Sequence, residues 1–247
     1  MDKPFIIGIG GTHSGVGKTT LAVSILRHFT SEGSAITAKL GFNKWGAIKY
    51  TNTTSPPLIV DDSVILAQAG KDTSRMLKGG ASQVLWVKSP PSVLHKVLPD
   101  AIKRLSGLDA VVVEGNSAIE FLKPDIVLFI SAGDKNRWKS GIQWFLSRAD
   151  IILYEDASGL SEIAKGKRLF NRNLSDRNES KVLSGVVSLM INKKRLKEEM
   201  YDKAVDGKIS CAAAMKIAKD LGISYAEVGA EANELGIKIK NCQLGCF

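Results

Sequence analysis

Cysteine is scarce and confined to one end. Cys211, Cys242 and Cys246 are the only three in 247 residues, and all lie in the C-terminal tail. That layout argues against a disulfide-stapled secreted domain. The first residues lack the basic, apolar and small-residue order of a signal peptide, and no apolar run approaches the ~20 residues needed to span a bilayer. A soluble, cytoplasmic protein is expected. Acidic residues are also in deficit, 25 against 34 lysines and arginines, for a formal charge of +9. From Arg195 onward eight basic residues balance eight acidic ones, so the whole excess belongs to residues 1–194. A phosphorylated ligand on that part would account for some of it, as would a solvated basic surface.

Apolar, β-like runs alternate with amphipathic stretches up to about residue 194, and no comparable strand series follows. The expected organisation is an α/β domain over 1–194 and a small helical module over 195–247. In the large domain, Phe5 to Ile9 reads as a strand and Leu21, Ile25, Leu26 and Phe29 recur at helical spacing. Between them lies Gly10-Gly11-Thr12-His13-Ser14-Gly15-Val16-Gly17-Lys18-Thr19-Thr20.

Strand, glycine-rich loop and helix in that order make a P-loop. The curled backbone points successive N–H groups at phosphate oxygens, and the helix N-terminus adds its unpaired donors. Lys18 is expected to reach the terminal phosphates and the Thr19 hydroxyl to ligate Mg2+. Thr12 stands where the consensus has its first glycine, and Gly11 lies one residue earlier.

Four later apolar runs, Val84 to Val87, Ala110 to Val113, Ile126 to Ile130 and Ile151 to Tyr154, extend the expected sheet. Helices are expected over Pro91 to Ser106, with Pro99 marking a break or kink, and over Arg137 to Leu146. This alternation predicts a mostly parallel sheet covered by helices on both faces, with ligands beyond the carboxyl ends of the strands. Glu114 ends one such strand, where P-loop proteins place the carboxylate that orders magnesium or a water. A charged cluster on a helix closed by Gly79-Gly80 supplies Asp61, Asp62, Lys71, Asp72 and Arg75 as candidates for metal or phosphate contacts, or as a solvated face.

Gly46-Ala47-Ile48-Lys49-Tyr50-Thr51, Gly70-Lys71-Asp72-Thr73-Ser74-Arg75, Gly79-Gly80-Ala81 and Val112-Val113-Glu114-Gly115, in that order behind the loop, resemble the signature segments of the molybdopterin-guanine dinucleotide biosynthesis protein B (MobB) family. The resemblance covers roughly residues 4–155. The family's pattern has a histidine at Tyr50 and a proline at Ala69, and its lysine lies closer to the loop than Lys49 does. The resemblance implies a GTP-binding, Mg2+-dependent, homodimeric protein. It would assist attachment of a guanosine nucleotide to molybdopterin, or deliver the finished guanine dinucleotide cofactor, with a guanylyltransferase or a molybdenum or tungsten apoenzyme as partner. Carried over residue by residue, it adds Lys49, Asp72, Arg75 and Glu114 to Lys18 and Thr19 as site residues. Asp72 becomes a metal-side carboxylate and Arg75 a phosphate contact.

Gly11 to Gly15 also resembles the loop of ATP-dependent amidoligases that make cobyrinic acid diamide, so an ATP-dependent ligase or synthetase is the rival reading. Base choice rests on little. Asn192-Lys193-Lys194 follows the apolar run Gly185 to Ile191 and begins like a guanine-reading loop, but Arg195 replaces its aspartate. The segment is a base-contact loop or an ordinary strand exit.

In the tail, Ala212 to Leu221 and Tyr225 to Leu235 read as two helices joined by Gly222-Ile223-Ser224, with a short strand over Gly236 to Lys240. That resembles a helix-turn-helix with a wing. Local neutrality and Glu227, Glu231 and Glu234 on the second helix oppose nucleic-acid binding. Cys211, Cys242 and Cys246 either pack as small apolar residues or hold an iron–sulfur cluster or zinc.

Overall fold

The computed structural model describes residues 3–31, 40–131, 141–155, 167–172 and 176–241. The chain divides into two compact units, 1–186 and 187–247.

In the first unit the described strands are β1 (Phe5–Gly11), β2 (Trp45–Asn52), β3 (Leu58–Val60), β4 (Gln83–Ser89), β5 (Ala110–Glu114), β6 (Ile126–Ser131), β7 (Ile151–Tyr154) and β8 (Arg168–Asn171). They form one sheet in the order β3-β4-β2-β5-β1-β6-β7-β8. Every neighbouring pair is parallel except β3 with β4. All seven residues of β1 are buried, as a central parallel strand covered on both faces requires.

The helices follow from apolar spacing. Helix α1 (Lys18–Thr30) buries Leu21, Ala22, Ile25, Leu26 and Phe29, and the Phe29 ring stacks on Trp45 at 4.6 Å. The short α2 (Ser63–Leu66) and α3 (Asp72–Lys78) come next, then α4 (Leu94–Arg104), α5 (Asn116–Leu122) and α6 (Ile142–Arg148). Leu94, Leu98, Ala101 and Leu105 pack on Ile48, Leu85, Val87 and Val111 in one cluster. A second cluster joins Phe145 and Leu146 of α6 to Val127, Phe129 and Ile152.

Several local expectations change. Helix α4 runs through Pro99 without ending, after a single 3-10 turn at Pro91–Val93. Its partner was expected to begin at Arg137; the described helix is Ile142–Arg148, and 137–140 lie outside the described residues. The charged cluster is not one helix. Asp62 caps α2 by accepting from the Val64 and Ile65 amides, and Gly70, at φ 81°, turns the chain before α3 starts at Asp72. Strands β2, β3 and β8 join the four expected runs; their mixed polarity hid them.

Helix α7 (Asp176–Lys203) crosses the unit boundary. The apolar run Gly185 to Ile191 is therefore helical, and Asn192 is a mid-helix residue, correcting both the strand exit and the base-contact loop. Fully buried Val182, Val186 and Met190 fall four residues apart, a helical period that the short run concealed.

The second unit contains the end of α7, β9 (Lys208–Ser210), α8 (Cys211–Leu221), α9 (Tyr225–Glu234) and β10 (Lys238–Lys240). Ser210 caps α8, and Ser224 with Glu227 forms a capping box at the start of α9. Gly222 takes the left-handed conformation at φ 64° that ends α8. The expected wing strand pairs in parallel with β9, so a two-stranded ribbon brackets the helices. Leu196, Met200, Ile209, Ile217, Val228 and Ile237 share a core of their own.

Candidate functional site

The carboxyl ends of β1, β2 and β5 lie side by side in the sheet, and each delivers a part of one site. From β1 the chain enters the glycine loop. Gly15 and Gly17 adopt φ 78° and 99°, a region costly for any residue with a Cβ, and Gly17 sits at the N-cap of α1. Gly11 is needed for a different reason. A Cβ there would come within 2.5 Å of Val16, which is fully buried. Thr12, in the consensus glycine's place, is buried, and its amide donates to the Ile130 carbonyl at 3.0 Å. Gly11, Thr12 and Val16 thus frame the loop, and Gly15, Gly17, Lys18, Thr19 and Thr20 line its open side. The Lys18 ammonium donates across the loop to the His13 carbonyl at 2.7 Å, which bends the loop around its own cation.

Opposite the loop stands a charged network. Glu114 is 2% exposed at the end of β5. Its Oε2 accepts from the Thr19 hydroxyl at 2.7 Å, and its Oε1 accepts from Lys49 Nζ at 2.6 Å. The same ammonium lies 2.6 Å from Asp72 Oδ2. Arg75, one turn further along α3, donates to the Thr20 hydroxyl at 3.0 Å and stands 3.8 Å from Asp72. Burial by itself would lower the Lys49 pKa, but Glu114 and Asp72 outweigh it and hold the ammonium above its ordinary value. For Asp72 burial acts upward, and Lys49, Thr19 and Arg75 together pull the carboxyl below its ordinary value.

These residues line a cleft of about 900 Å3. Asp61 and Asp62 do not: Asp61 pairs with Arg104 at 2.9 Å, and Asp62 is spent on the α2 cap. Cys211 is the first residue of α8, and Cys242 and Cys246 lie outside the described residues. Among the described residues no cluster of three or more His, Cys, Asp or Glu side chains could hold a metal.

Sequence reasoning missed Asn116. Its side-chain amide makes two bonds to Gly11, accepting from the amide at 3.0 Å and donating to the carbonyl at 3.1 Å. This clamps the start of α5 to the point where β1 becomes the loop. The available signal was its place two residues beyond Glu114. Between them Gly115, at φ 137°, lies where a Cβ would come within 2.9 Å of Tyr50. Tyr50 is therefore a packing residue. Its hydroxyl donates to the Ser89 carbonyl at 2.8 Å, and burial raises its pKa.

The oxygens present suit a magnesium ion. Thr19, Glu114 and Asp72 offer the hard ligands Mg2+ prefers, and the two carboxylates are spaced to share one cation, since a single ammonium already bridges them. Bound there beside nucleotide, Mg2+ would offset charge developing on the phosphates. The chain's own groups supply the cradle of amides, the Lys18 cation and the carboxylates that orient such an ion.

Strand, glycine loop, lysine-led helix and buried carboxylate on a parallel sheet define the P-loop NTPase fold. No family model and no curated protein matches the chain. Among solved structures it is similar to HypB from Helicobacter pylori in complex with nickel, with 14% identity over 78% of this chain and 88% of that one and a TM-score of 0.46. It is also similar to a LAO/AO transport system kinase, with 14% identity over 95% and 70% of the two chains and a TM-score of 0.41. A third is LpxK from Aquifex aeolicus in complex with ATP, with 16% identity, a TM-score of 0.39 and 68% of this chain against 53% of that one. Likeness at this level carries no inference about ligand or reaction. No described helix is long and apolar enough to cross a membrane.

Proposed function

We propose that the protein is a GTP-dependent accessory factor of molybdenum or tungsten cofactor maturation, of the MobB type. It would act in the cytoplasm as a homodimer, passing a molybdopterin or its guanine dinucleotide between a guanylyltransferase and an apoenzyme. One observation carries the reading. Three of the four segments that resemble the family's signatures, far apart in sequence, converge on one network through Lys49, Asp72 with Arg75, and Glu114, joined to Thr19 and Thr20 of the loop.

A room for a second ligand supports it. A hollow of about 250 Å3 adjoins the nucleotide cleft, sharing Lys49 and Asp72 with it. The Trp86 ring forms one wall, with the Lys71 and Lys88 ammonium groups 5.0 Å and 3.7 Å from its centroid. An indole wall beside the Lys71 and Lys49 cations that line the same hollow suits a flat ring carrying phosphate. Hydrolysis would be slow without a partner, since Glu114 and Asp72 are engaged by Lys49 and Thr19 rather than poised over an attacking water.

The test is to equilibrate the protein with Mg2+, GTP or ATP, and molybdopterin, then determine by mass and metal analysis what is retained. Retention of GTP together with the pterin is expected. Selective retention of ATP with no pterin overturns the proposal in favour of a ligase or synthetase.

A further inference from the structure

Lys49 occupies an unusual position for a phosphate-binding cation. Its side chain is 17% exposed, and its ammonium lies 2.6 Å from one oxygen of Glu114 and 2.6 Å from one of Asp72, while the other Glu114 oxygen holds the Thr19 hydroxyl. The groups expected to take up Mg2+ are therefore already neutralised by a cation belonging to the chain. Two carboxylates face one ammonium and one guanidinium, so the cluster is balanced in charge.

A divalent ion beside Thr19 cannot share that space with an ammonium, because like charges at such separations repel strongly in a part-buried site. Nucleotide phosphates change the balance by supplying negative charge that both cations can use. Lys49 also has a mechanical role. Its link to Asp72 ties α3 to the nucleotide-binding frame, together with the Arg75 to Thr20 bond and the Thr19 hydroxyl's bond to Asp72.

We infer that Lys49 is a resident counter-ion that competes with divalent metal for Glu114 and Asp72, and that binding of a metal–nucleotide complex displaces its ammonium from both carboxylates. The metal site opens only with nucleotide. The inference rests on the nucleotide-binding part of the function proposed above and is independent of the molybdenum part.

The experiment uses Mn2+ as a paramagnetic probe, its free fraction read by electron paramagnetic resonance on the full chain. Without nucleotide, the unmodified protein should bind Mn2+ weakly, Lys49→Met about tenfold or more tightly, and Lys49→Arg as weakly as the parent. A saturating non-hydrolysable GTP analogue should tighten Mn2+ binding to the parent by a similar factor. Mn2+ affinity that is equal in the parent and Lys49→Met overturns the inference.

Should Lys49→Met fail to fold, Lys49→Gln decides in the same measurement. It too removes the ammonium and should bind Mn2+ more tightly than the parent without nucleotide. Affinity no higher than the parent's sinks the proposal. Failure of any nucleoside triphosphate to bind would refute the function proposed above, while the comparison without nucleotide would still test Lys49.

Discussion

Each unit buries a glutamate, and the two are treated differently. Glu114 meets its partners at 2.6 and 2.7 Å, within hydrogen-bond length. Glu231, 5% exposed in the second unit, has the Lys193 and Lys197 ammonium groups both at 3.8 Å. The first arrangement draws on a strand, the loop helix and α3, elements that the sheet brings together from distant sequence. The second joins α9 to α7 by looser ion pairing beside an apolar core. Tight, convergent charge on a sheet's carboxyl edge marks a place for chemistry, whereas loose pairing beside a core serves packing.

The largest effect should come from the loop. Lys18→Ala is expected to weaken triphosphate binding by about two orders of magnitude, roughly 2.7 kcal/mol, in calorimetric titration. Unfolding of the second unit should not move. Next, Glu114→Gln should cost about 3 kcal/mol in urea unfolding, because it breaks a buried pair and leaves Lys49 poorly compensated. Glu231→Gln should cost less, because its partners Lys193 and Lys197 lie at 3.8 Å with side chains 24% and 33% exposed, so their ammonium groups keep solvent when the carboxylate is lost. Equal losses from the two glutamates would break the contrast.

Ser224→Ala removes the capping box of α9 and should cost about 1 kcal/mol while leaving nucleotide affinity intact. The smallest effect is the dependence on pH. Asp72 titrates below its ordinary value of 3.8, so its contribution is complete above that value and is lost as pH falls through the folded pKa. Lys49 titrates above 10.5, so its contribution is complete below that and fades as pH rises through the folded pKa. Asp72→Asn should flatten only the acid limb of a stability–pH curve. Because the Asp72 side chain is 39% exposed, solvent screening keeps the change small.

Much of the frame was legible because it is written locally. The strand and helix around the glycine loop follow from Phe5 to Ile9 and from the spacing of Leu21, Ile25 and Phe29. Four apolar runs became strands as expected. Strand β2 was harder to read, since Lys49 and Thr51 interrupt its apolar pattern in order to face the cleft. The helix through Gly185 to Ile191 escaped because seven residues are too few to separate periods of two and 3.6. Of the charged cluster, the short sequence window could not tell that Asp62 closes a helix end while Asp72, ten residues later, meets Lys49.

By itself the sequence determined that the chain has a phosphate-binding loop, since backbone curl, helix start and the Lys18 and Thr19 side chains all come from one contiguous stretch. It also determined the parallel α/β class, through alternation of apolar strands and amphipathic helices. Only the tertiary structure decided which charges meet. Lys49, Asp72 and Glu114 lie on three elements, and their 2.6 Å contacts exist because β2 and β5 are neighbours in the sheet and α3 returns over their carboxyl ends. Pairing between distant side chains depends on strand order and register, which no local periodicity encodes.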